Sequence, residues 1–235
     1  MNVGGSTRNV AECLGRLGIG QHVKFVSGVG DDELQNFVVN SLVSVNVSPE
    51  YLFVKQGERT AAFTGLLDKN GDFFCGVADM TVAEYIPVAH LEKTKFWEAW
   101  MLILDSNIGH ETLTYILQRA YQKVKHIIYE PISQEKSERI LTGDLLSRLT
   151  IFKPNLVQLV HLIQKINGQP VRGLTNVFAE DKRLIKLMIL KLAEYAEKSN
   201  PKGNNLKQII LTLGKDGVLV YSTSGKGTFT HYAAR

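Results

Sequence analysis

Short β-rich segments alternate with amphipathic segments of helix length along most of this chain, and this alternation constrains the fold more than any other feature. From Trp100 onward it predicts a strand ending at Asp105, a helix carrying Leu113 and Val124, and a strand ending at Tyr129. Further helices are predicted at 134–149, 155–166 and 182–198, with strands at 150–152, 208–213 and 218–221.

Strands separated by helices of this length pair in parallel through right-handed crossovers. The sequence therefore predicts an α/β fold with a mostly parallel sheet and helices on both of its faces. Ligands of such sheets bind at the carboxyl ends of the strands, which directs attention to the loops after Leu104, Phe152 and Leu213.

The segment before Trp100 has a different pattern. It predicts a helix from Val10 to a glycine cap at Gly18, a strand at 23–27 and a helix at 34–42. Three β-rich segments follow at 51–55, 60–67 and 72–78, and the Asp68-Lys69-Asn70-Gly71 turn between the last two predicts a hairpin. A hairpin inserted into a βα series often serves as a lid or an interface, so a lid is expected at about residues 51–80.

Composition excludes several classes of protein. The 235 residues are 44% hydrophobic, and 27 basic against 23 acidic side chains give a net charge of +4 without a basic run, so no nucleic-acid partner is predicted. No apolar stretch approaches the roughly 20 residues of a membrane span, so no membrane partner is predicted. Cys13 and Cys75 lie in apolar segments and are predicted to be buried, reduced thiols of a cytoplasmic protein.

The sharpest local signal is the block GGSTRNVAECLGRLG, which starts at Gly4. The pair Gly4-Gly5 lets the backbone approach a ligand closely, and Asn9 is placed at the opening of a helix whose free N–H groups favour polar or anionic partners. A tight turn followed by a helix cap explains the same residues without a ligand. Arg8, taken alone, is predicted to be a surface residue.

Two further blocks follow predicted strands. In KPNLVQL, Pro154 fixes the exit from a strand and Asn155 opens a helix at the carboxyl edge of the sheet, where it could orient phosphate or water; simple helix capping is the alternative. In ILTLGKDGVLVYS, Thr212 and Gly214 lie just past a strand and Gly217 permits a tight reversal; an ordinary hairpin is the alternative. No P-loop, dinucleotide fingerprint or zinc motif is present in the sequence.

In order and spacing, these blocks resemble the pfkB-type carbohydrate kinase (ribokinase-like) family. The matching features are the glycine pair with its asparagine, GVGDD, a hairpin, a strand ending in aspartate, KPN and TLGxxG. The arginine before Asn9, the string ADM at 78–80 and YEPISQEK at 129–136 look most like the pseudouridine kinase branch.

The resemblance implies a three-layer α/β/α sandwich that transfers a phosphoryl group from ATP, with Mg²⁺, to a hydroxymethyl group of a ribose-like sugar or nucleoside. For the pseudouridine branch the product would be pseudouridine 5′-phosphate. It also implies that the hairpin covers the substrate and serves as a homodimer interface. By the same resemblance, the substrate-binding residues are Gly4, Gly5 and Asn9, and the nucleotide-binding residues are Asn155, Thr212, Gly214 and Gly217.

Three departures from the family pattern change what this chain is expected to do. Gln158 replaces the glutamate of the family's N-x-x-E motif, which leaves the metal ligands undefined. The G-A-G-D motif with the catalytic aspartate does not occur, so no catalytic residue is assigned. Only three residues precede Gly4, so the family's first strand and its substrate-binding aspartate are missing as well. The expectation is a single incomplete domain over 1–235, truncated at both ends and with little or no activity alone. A catalytically dead regulatory subunit and a gene-model or splice fragment are the alternatives.

Overall fold

The computed structural model describes residues 3–71, 73–168, 181–225 and 227–234. It divides the chain into two compact units. The first comprises residues 1–96 with 107–113, and the second comprises residues 97–106 with 114–235.

The first unit holds a parallel strand pair and a separate antiparallel hairpin. A first strand pair is parallel, with Ser27 opposite Leu52, and two later strands form the hairpin around the predicted turn. In chain order the elements are α1 (Ser6–Leu14), β1 (Ser27–Gly30), α2 (Glu33–Val43), β2 (Leu52–Lys55), β3 (Ala62–Leu67), β4 (Phe73–Asp79), α3 (Thr81–Glu84) and α4 (Val88–Thr94). Residues from α1, α2, the first strand pair and the segments that connect them form a buried core: Ala11, Phe25, Val29, Leu42, Val45, Val47 and Leu52.

The second unit is built on a six-stranded sheet with the order β10-β9-β8-β7-β6-β5. Strands β5 to β8 are parallel, whereas β9 and β10 are antiparallel, so the prediction of a mostly parallel sheet with helices is confirmed. Its strands are β5 (Met101–Asp105), β6 (His126–Glu130), β7 (Ile151–Phe152), β8 (Gln208–Thr212), β9 (Val218–Ser222) and β10 (Thr228–Tyr232). Its helices are α6 (Gln134–Ser137), α7 (Leu145–Arg148), α8 (Leu156–Asn167) and α9 (Lys182–Ser199), and helix α5 (His110–Ala120) is divided between the two units after Leu113.

Several predicted boundaries are wrong. The helix expected at 134–149 is broken into α6, a 3₁₀ turn at Glu138–Leu141 and α7, because Gly143 takes a left-handed φ of 57° that no α-helix accommodates. The strand expected at 23–27 begins only at Ser27. Helix α1 starts at Ser6 rather than Val10, and its end passes into a π turn that contains Gly18.

The prediction of buried thiols is also wrong, because Cys13 and Cys75 are both exposed. Helix α1 buries Arg8 and Ala11 and leaves Cys13 on its outer side. Cys75 lies on the hairpin opposite Leu66, itself an exposed residue. Within the described residues, no helix is long and apolar enough to cross a membrane.

Candidate active site

Four parallel strands of the second unit end at one edge of the sheet. Asp105 at the end of β5 lies opposite Glu130 at the end of β6, and Phe152 of β7 lies beside Tyr129 of β6. Beyond β7, Asn155 forms a bridge to Thr212 at the end of β8. The loops after Leu104, Phe152 and Leu213 therefore share the carboxyl edge, as the alternation predicts.

Asn155 caps helix α8 at this edge. Its Oδ1 accepts a hydrogen bond from the backbone N–H of Gln158 at 2.8 Å, and its own backbone N–H donates to Gln158 Oε1 at 2.9 Å. These reciprocal bonds form a complete capping box. Because the cap uses the oxygen of an exposed side chain, the two N–H donors of the Asn155 carboxamide are left for an acceptor such as a phosphate oxygen.

Gln158 is locked in place by this box and by a further bond. Its Nε2 donates to the backbone carbonyl oxygen of Pro131 at 2.7 Å, and the residue is only 4% exposed. Its oxygen is occupied by the Asn155 N–H and its nitrogen by Pro131, so the side chain does not fit the role of a metal or metal-water ligand. Among the described residues, no cluster of three or more histidine, cysteine, aspartate or glutamate side chains could hold a metal ion.

The end of β8 and the loop after it contain the remaining nucleotide candidates. Thr212 is tied to the α8 entry, because its N–H donates to the Pro154 carbonyl at 3.1 Å. Gly214 is exposed with a φ of 58°, and the position of a Cβ atom there is open, which leaves room for a ligand. Gly217 has a φ of 87° and is buried, and a Cβ atom there would overlap the carbonyl oxygen of Tyr232. A glycine is therefore required at position 217 because β10 passes too close to leave room for a side chain. Strands β8 and β9 do form the hairpin that was the alternative to a nucleotide loop.

The same edge carries polar residues that the motifs did not single out. Lys153 Nζ forms an ion pair with Glu130 Oε1 at 2.8 Å, and both side chains are partly exposed. Ser106 is fully buried; its hydroxyl accepts from the Ile132 N–H at 2.8 Å and its carbonyl accepts from Arg139 Nη1 at 3.0 Å. Three signals could have located them: Ser106 directly follows the strand ending at Asp105, Glu130 lies in the string YEPISQEK, and Lys153 opens KPNLVQL.

Tyr129 lies in the buried interior next to this edge. It is fully buried, and its ring stacks on Phe152 with a centroid separation of 6.2 Å. Burial raises the pKa of the Tyr129 phenol far above its ordinary value, and the nearby Asp105 carboxylate acts in the same direction. The phenol therefore stays protonated at neutral pH.

In the first unit, the glycine block folds into a compact turn before α1. Gly5 is the N-cap residue with a φ of 106°, and both Gly4 and Gly5 are exposed. Asn9 is exposed as well, and its backbone N–H donates to the Gly5 carbonyl at 2.8 Å. Asn9 is therefore the fourth residue of α1 and does not stand at the helix opening, where the sequence predicts it. Gly4, Gly5 and Asn9 are nevertheless brought together.

Arg8 is not the surface residue that was predicted, because it is only 6% exposed. Its guanidinium donates from Nε to the Gly4 carbonyl at 3.0 Å and from Nη2 to the Val3 carbonyl at 2.9 Å. It also contacts the side-chain oxygen of Asn9 and forms a 2.5 Å ion pair with Glu12. The Arg8 guanidinium can be buried because acceptors from the turn and from the helix face match its planar set of N–H donors.

The base of the hairpin is fixed by the GVGDD block. Asp32 caps α2 and accepts from the Thr60 hydroxyl at 2.6 Å and from the Thr60 N–H at 3.0 Å. The hydrogen bond from the Thr60 hydroxyl holds the pKa of Asp32 below its ordinary value. Gly30 donates its N–H to the same hydroxyl, and a Cβ atom at Gly30 would overlap the Glu58 carbonyl. This close approach explains the glycine of the block.

Beyond Thr60 the hairpin carries exposed apolar side chains on both strands. Every residue of β3 is exposed, and the large apolar residues of the hairpin are exposed by 57–77%: Phe63, Leu66, Leu67, Phe74 and Val77. These side chains leave apolar area of the hairpin uncovered in the described structure.

The chain resembles curated proteins over most of its length. It is 24% identical over 225 residues to pseudouridine kinase from Escherichia coli (strain K12), a match that covers 95% of this chain and 63% of that protein. It is 26% identical over 232 residues to pseudouridine kinase from Arabidopsis thaliana, covering 93% of this chain and 56% of that protein. The chain thus spans less than two thirds of the length of either relative.

Solved structures match the fold. A ribokinase from Arabidopsis thaliana in complex with ribose and ATP has a TM-score of 0.69 at 19% identity, covering 97% of this chain and 66% of that one. A fructokinase from Xylella fastidiosa has a TM-score of 0.72 at 18% identity, covering 97% and 68%. These likenesses show a ribokinase-like α/β fold. The sequence profile described as pfkB family carbohydrate kinase matches residues 1–235, and the chain belongs to that family.

Proposed function

We propose that this chain supplies the substrate and nucleotide contacts of a kinase that phosphorylates the hydroxymethyl group of a ribose-like substrate, with pseudouridine favoured. The proposal rests on the bridge between Asn155 and Thr212 at the carboxyl edge of the second unit's sheet, beside the open turn at Gly214. Two curated relatives named pseudouridine kinase support the choice of nucleoside.

In the proposed reaction, the substrate hydroxyl oxygen forms a bond to the γ-phosphorus of ATP as the bond to the β–γ bridging oxygen breaks. ADP leaves, and the hydroxyl proton passes to a base. Such a transfer depends mainly on positioning and on neutralising phosphate charge. Asn155 offers two N–H donors, Gly214 offers backbone without a side chain, and Lys153 offers a cation that its partner Glu130 holds at this edge.

Mg²⁺ supplies charge neutralisation on the phosphates of ATP in reactions of this kind. The Gln158 carboxamide does not fit as its ligand, because both of its polar atoms are engaged by the backbone. No step is therefore assigned to a protein-held metal at Gln158.

On the substrate side, Gly4, Gly5 and Asn9 are proposed to contact sugar hydroxyls, and the hairpin is proposed to cover the substrate. The exposed apolar side chains of β3 and β4 also support pairing of two copies through the hairpin. A cytoplasmic location, where ATP is available, belongs to the same proposal.

The base is the element this polypeptide is proposed to lack. Its 235 residues contain no Gly-Ala-Gly-Asp string, and loss of a general base or of an anion hole lowers a rate by about 10²–10⁴-fold each. We therefore expect the 235-residue chain alone to form pseudouridine 5′-phosphate from ATP slowly or not at all.

A product assay with the 235-residue chain tests this proposal. Labelled pseudouridine is incubated with ATP and Mg²⁺, and the 5′-phosphate is separated and quantified. Turnover at an ordinary enzyme rate would show that the chain contains a base and would refute the proposed deficiency. A second candidate, a binding or regulatory subunit, is favoured by the exposed hairpin. It predicts that this chain binds the nucleoside without forming product and that it changes the turnover of a complete homologue to which it is added.

A further inference from the structure

The buried guanidinium of Arg8 faces the side chain of Asn9, the candidate substrate residue. Arginine has only N–H donors and no acceptor. The Asn9 carboxamide must therefore turn its oxygen toward Arg8, as it does here, because the opposite orientation would set N–H donors against N–H donors.

The position of Arg8 does not depend on Asn9. Its Nε and Nη2 donate to the carbonyl oxygens of Gly4 and Val3, and Glu12 takes its Nη1. Glu12 also accepts from Arg16 Nε at 2.8 Å, so the carboxylate bridges two arginines along one face of α1. Hydrogen bonds from Arg16 and then from Arg8 lower the pKa of Glu12, which keeps it ionised as the counter-charge.

Two consequences follow for a ligand. The charge of Arg8 is already matched by Glu12, and the side chain is buried, so Arg8 is not itself a site for an anion. The exposed Asn9 has its oxygen occupied, which leaves its two N–H donors directed away from Arg8.

We propose that Arg8 is a positioning residue that fixes the Asn9 carboxamide as a hydrogen-bond donor, so that the substrate group bound there acts as an acceptor through an oxygen lone pair. The proposal rests on the proposed function only in identifying Asn9 as a substrate contact. The orientation of the carboxamide is a property of the free protein.

Three variants of the 235-residue chain separate this role from simple stabilisation. Arg8→Lys keeps the charge and the pairing with Glu12 but cannot hold three acceptors in one plane. Asn9→Asp keeps and strengthens the contact with Arg8 while it removes every side-chain donor at position 9. Arg16→Gln is the matched control, because Arg16 shares Glu12 with Arg8 and makes no contact with Asn9 among the described hydrogen bonds.

Pseudouridine affinity is measured by isothermal titration calorimetry and folding by thermal unfolding. We expect Arg8→Lys and Asn9→Asp each to weaken pseudouridine binding by about tenfold, the loss of one good hydrogen bond, and Arg16→Gln to leave it within about twofold. Asn9→Asp should melt no lower than the wild type, since it gains a charged pair with Arg8. Unchanged affinity in Asn9→Asp, or equal losses in Arg8→Lys and Arg16→Gln, would overturn the proposal.

A ligand-free measurement keeps this proposal separate from the proposed function. In protein labelled with ¹⁵N-asparagine, the Asn9 NH₂ signals should report a carboxamide held in one orientation. In Arg8→Lys, but not in Arg16→Gln, exchange between orientations should average these signals. Failure of the wild type to bind any nucleoside would count against the proposed function. An Asn9 carboxamide that is averaged in the wild type would count against the positioning role of Arg8.

Discussion

Replacing Gln158 with glutamate restores the family's usual residue, yet the structure predicts that it destabilises this chain near neutral pH. Gln158 Nε2 donates to the Pro131 carbonyl at 2.7 Å in a site that is 4% exposed. In the Gln158→Glu variant, an ionised side chain would instead set a carboxylate oxygen against that carbonyl and leave both without a donor. Leaving buried polar groups unsatisfied costs about 1–3 kcal/mol.

This loss corresponds to a fall in melting temperature of about 2–12 °C for a chain of this size. The effect should depend on pH, because burial and the Pro131 carbonyl raise the pKa of the introduced carboxyl above its unfolded value of about 4.3. A carboxyl whose folded pKa is raised contributes its full stability below the unfolded pKa and loses it as the pH rises through the folded pKa. In acid, the protonated side chain of the Gln158→Glu variant can donate to Pro131 as the amide does.

Unfolding of the wild type, Gln158→Glu and Gln158→Leu should therefore be compared at neutral and at mildly acidic pH. The leucine variant is the control, since it loses the bond to Pro131 and also the bond from the Asn155 N–H without adding a titratable group, and its deficit should be independent of pH. A Gln158→Glu variant as stable as the wild type at neutral pH would refute the assignment of Gln158 as a donor to Pro131.

Three further predictions concern Asn155, the glycine loop and the hairpin base. Asn155→Asp keeps the α8 cap but exchanges the N–H donors for negative charge, so ATP affinity measured by calorimetry should fall by at least about tenfold while the melting temperature holds; Asn155→Ala should lower both. In chemical denaturation, Gly217→Ala should lower the free energy of unfolding by about 1–3 kcal/mol or more, because the added Cβ overlaps β10. Gly214→Ala should lower it by only about 1 kcal/mol, because the space around a Cβ atom there is open. Equal losses would contradict the packing of Gly217 against β10. Thr60→Val should lower the melting temperature near neutral pH, and this deficit should shrink in acid, because a lowered Asp32 pKa contributes stability that is lost as the pH falls through it; a deficit independent of pH would exclude the Asp32 contact as its source.

Local signals were sufficient where a segment's own residues decide its structure. The hairpin turn at Asp68–Gly71 and the long helix α9 (Lys182–Ser199) formed where the pattern predicts them. The capping role of Gln158 could also be predicted, because an Asn-x-x-Gln spacing at the start of an apolar run is typical of a capping box.

Features set by contacts between distant or competing groups could not be predicted in this way. Arg8 is buried because the Gly4 turn and Glu12 supply acceptors, which no property of an isolated arginine indicates. Cys75 is exposed because β3 and β4 form a hairpin whose apolar side chains remain uncovered in the described structure.

We propose that this chain binds the ligands of a pfkB kinase without supplying the catalytic base. Isothermal titration calorimetry of the 235-residue chain with pseudouridine, in the presence and absence of ATP, tests this claim most directly. We predict saturable binding of pseudouridine and of ATP, with no continuing heat of turnover when both are present. Absence of binding by both ligands, or sustained turnover heat at an ordinary enzyme rate, would contradict the claim.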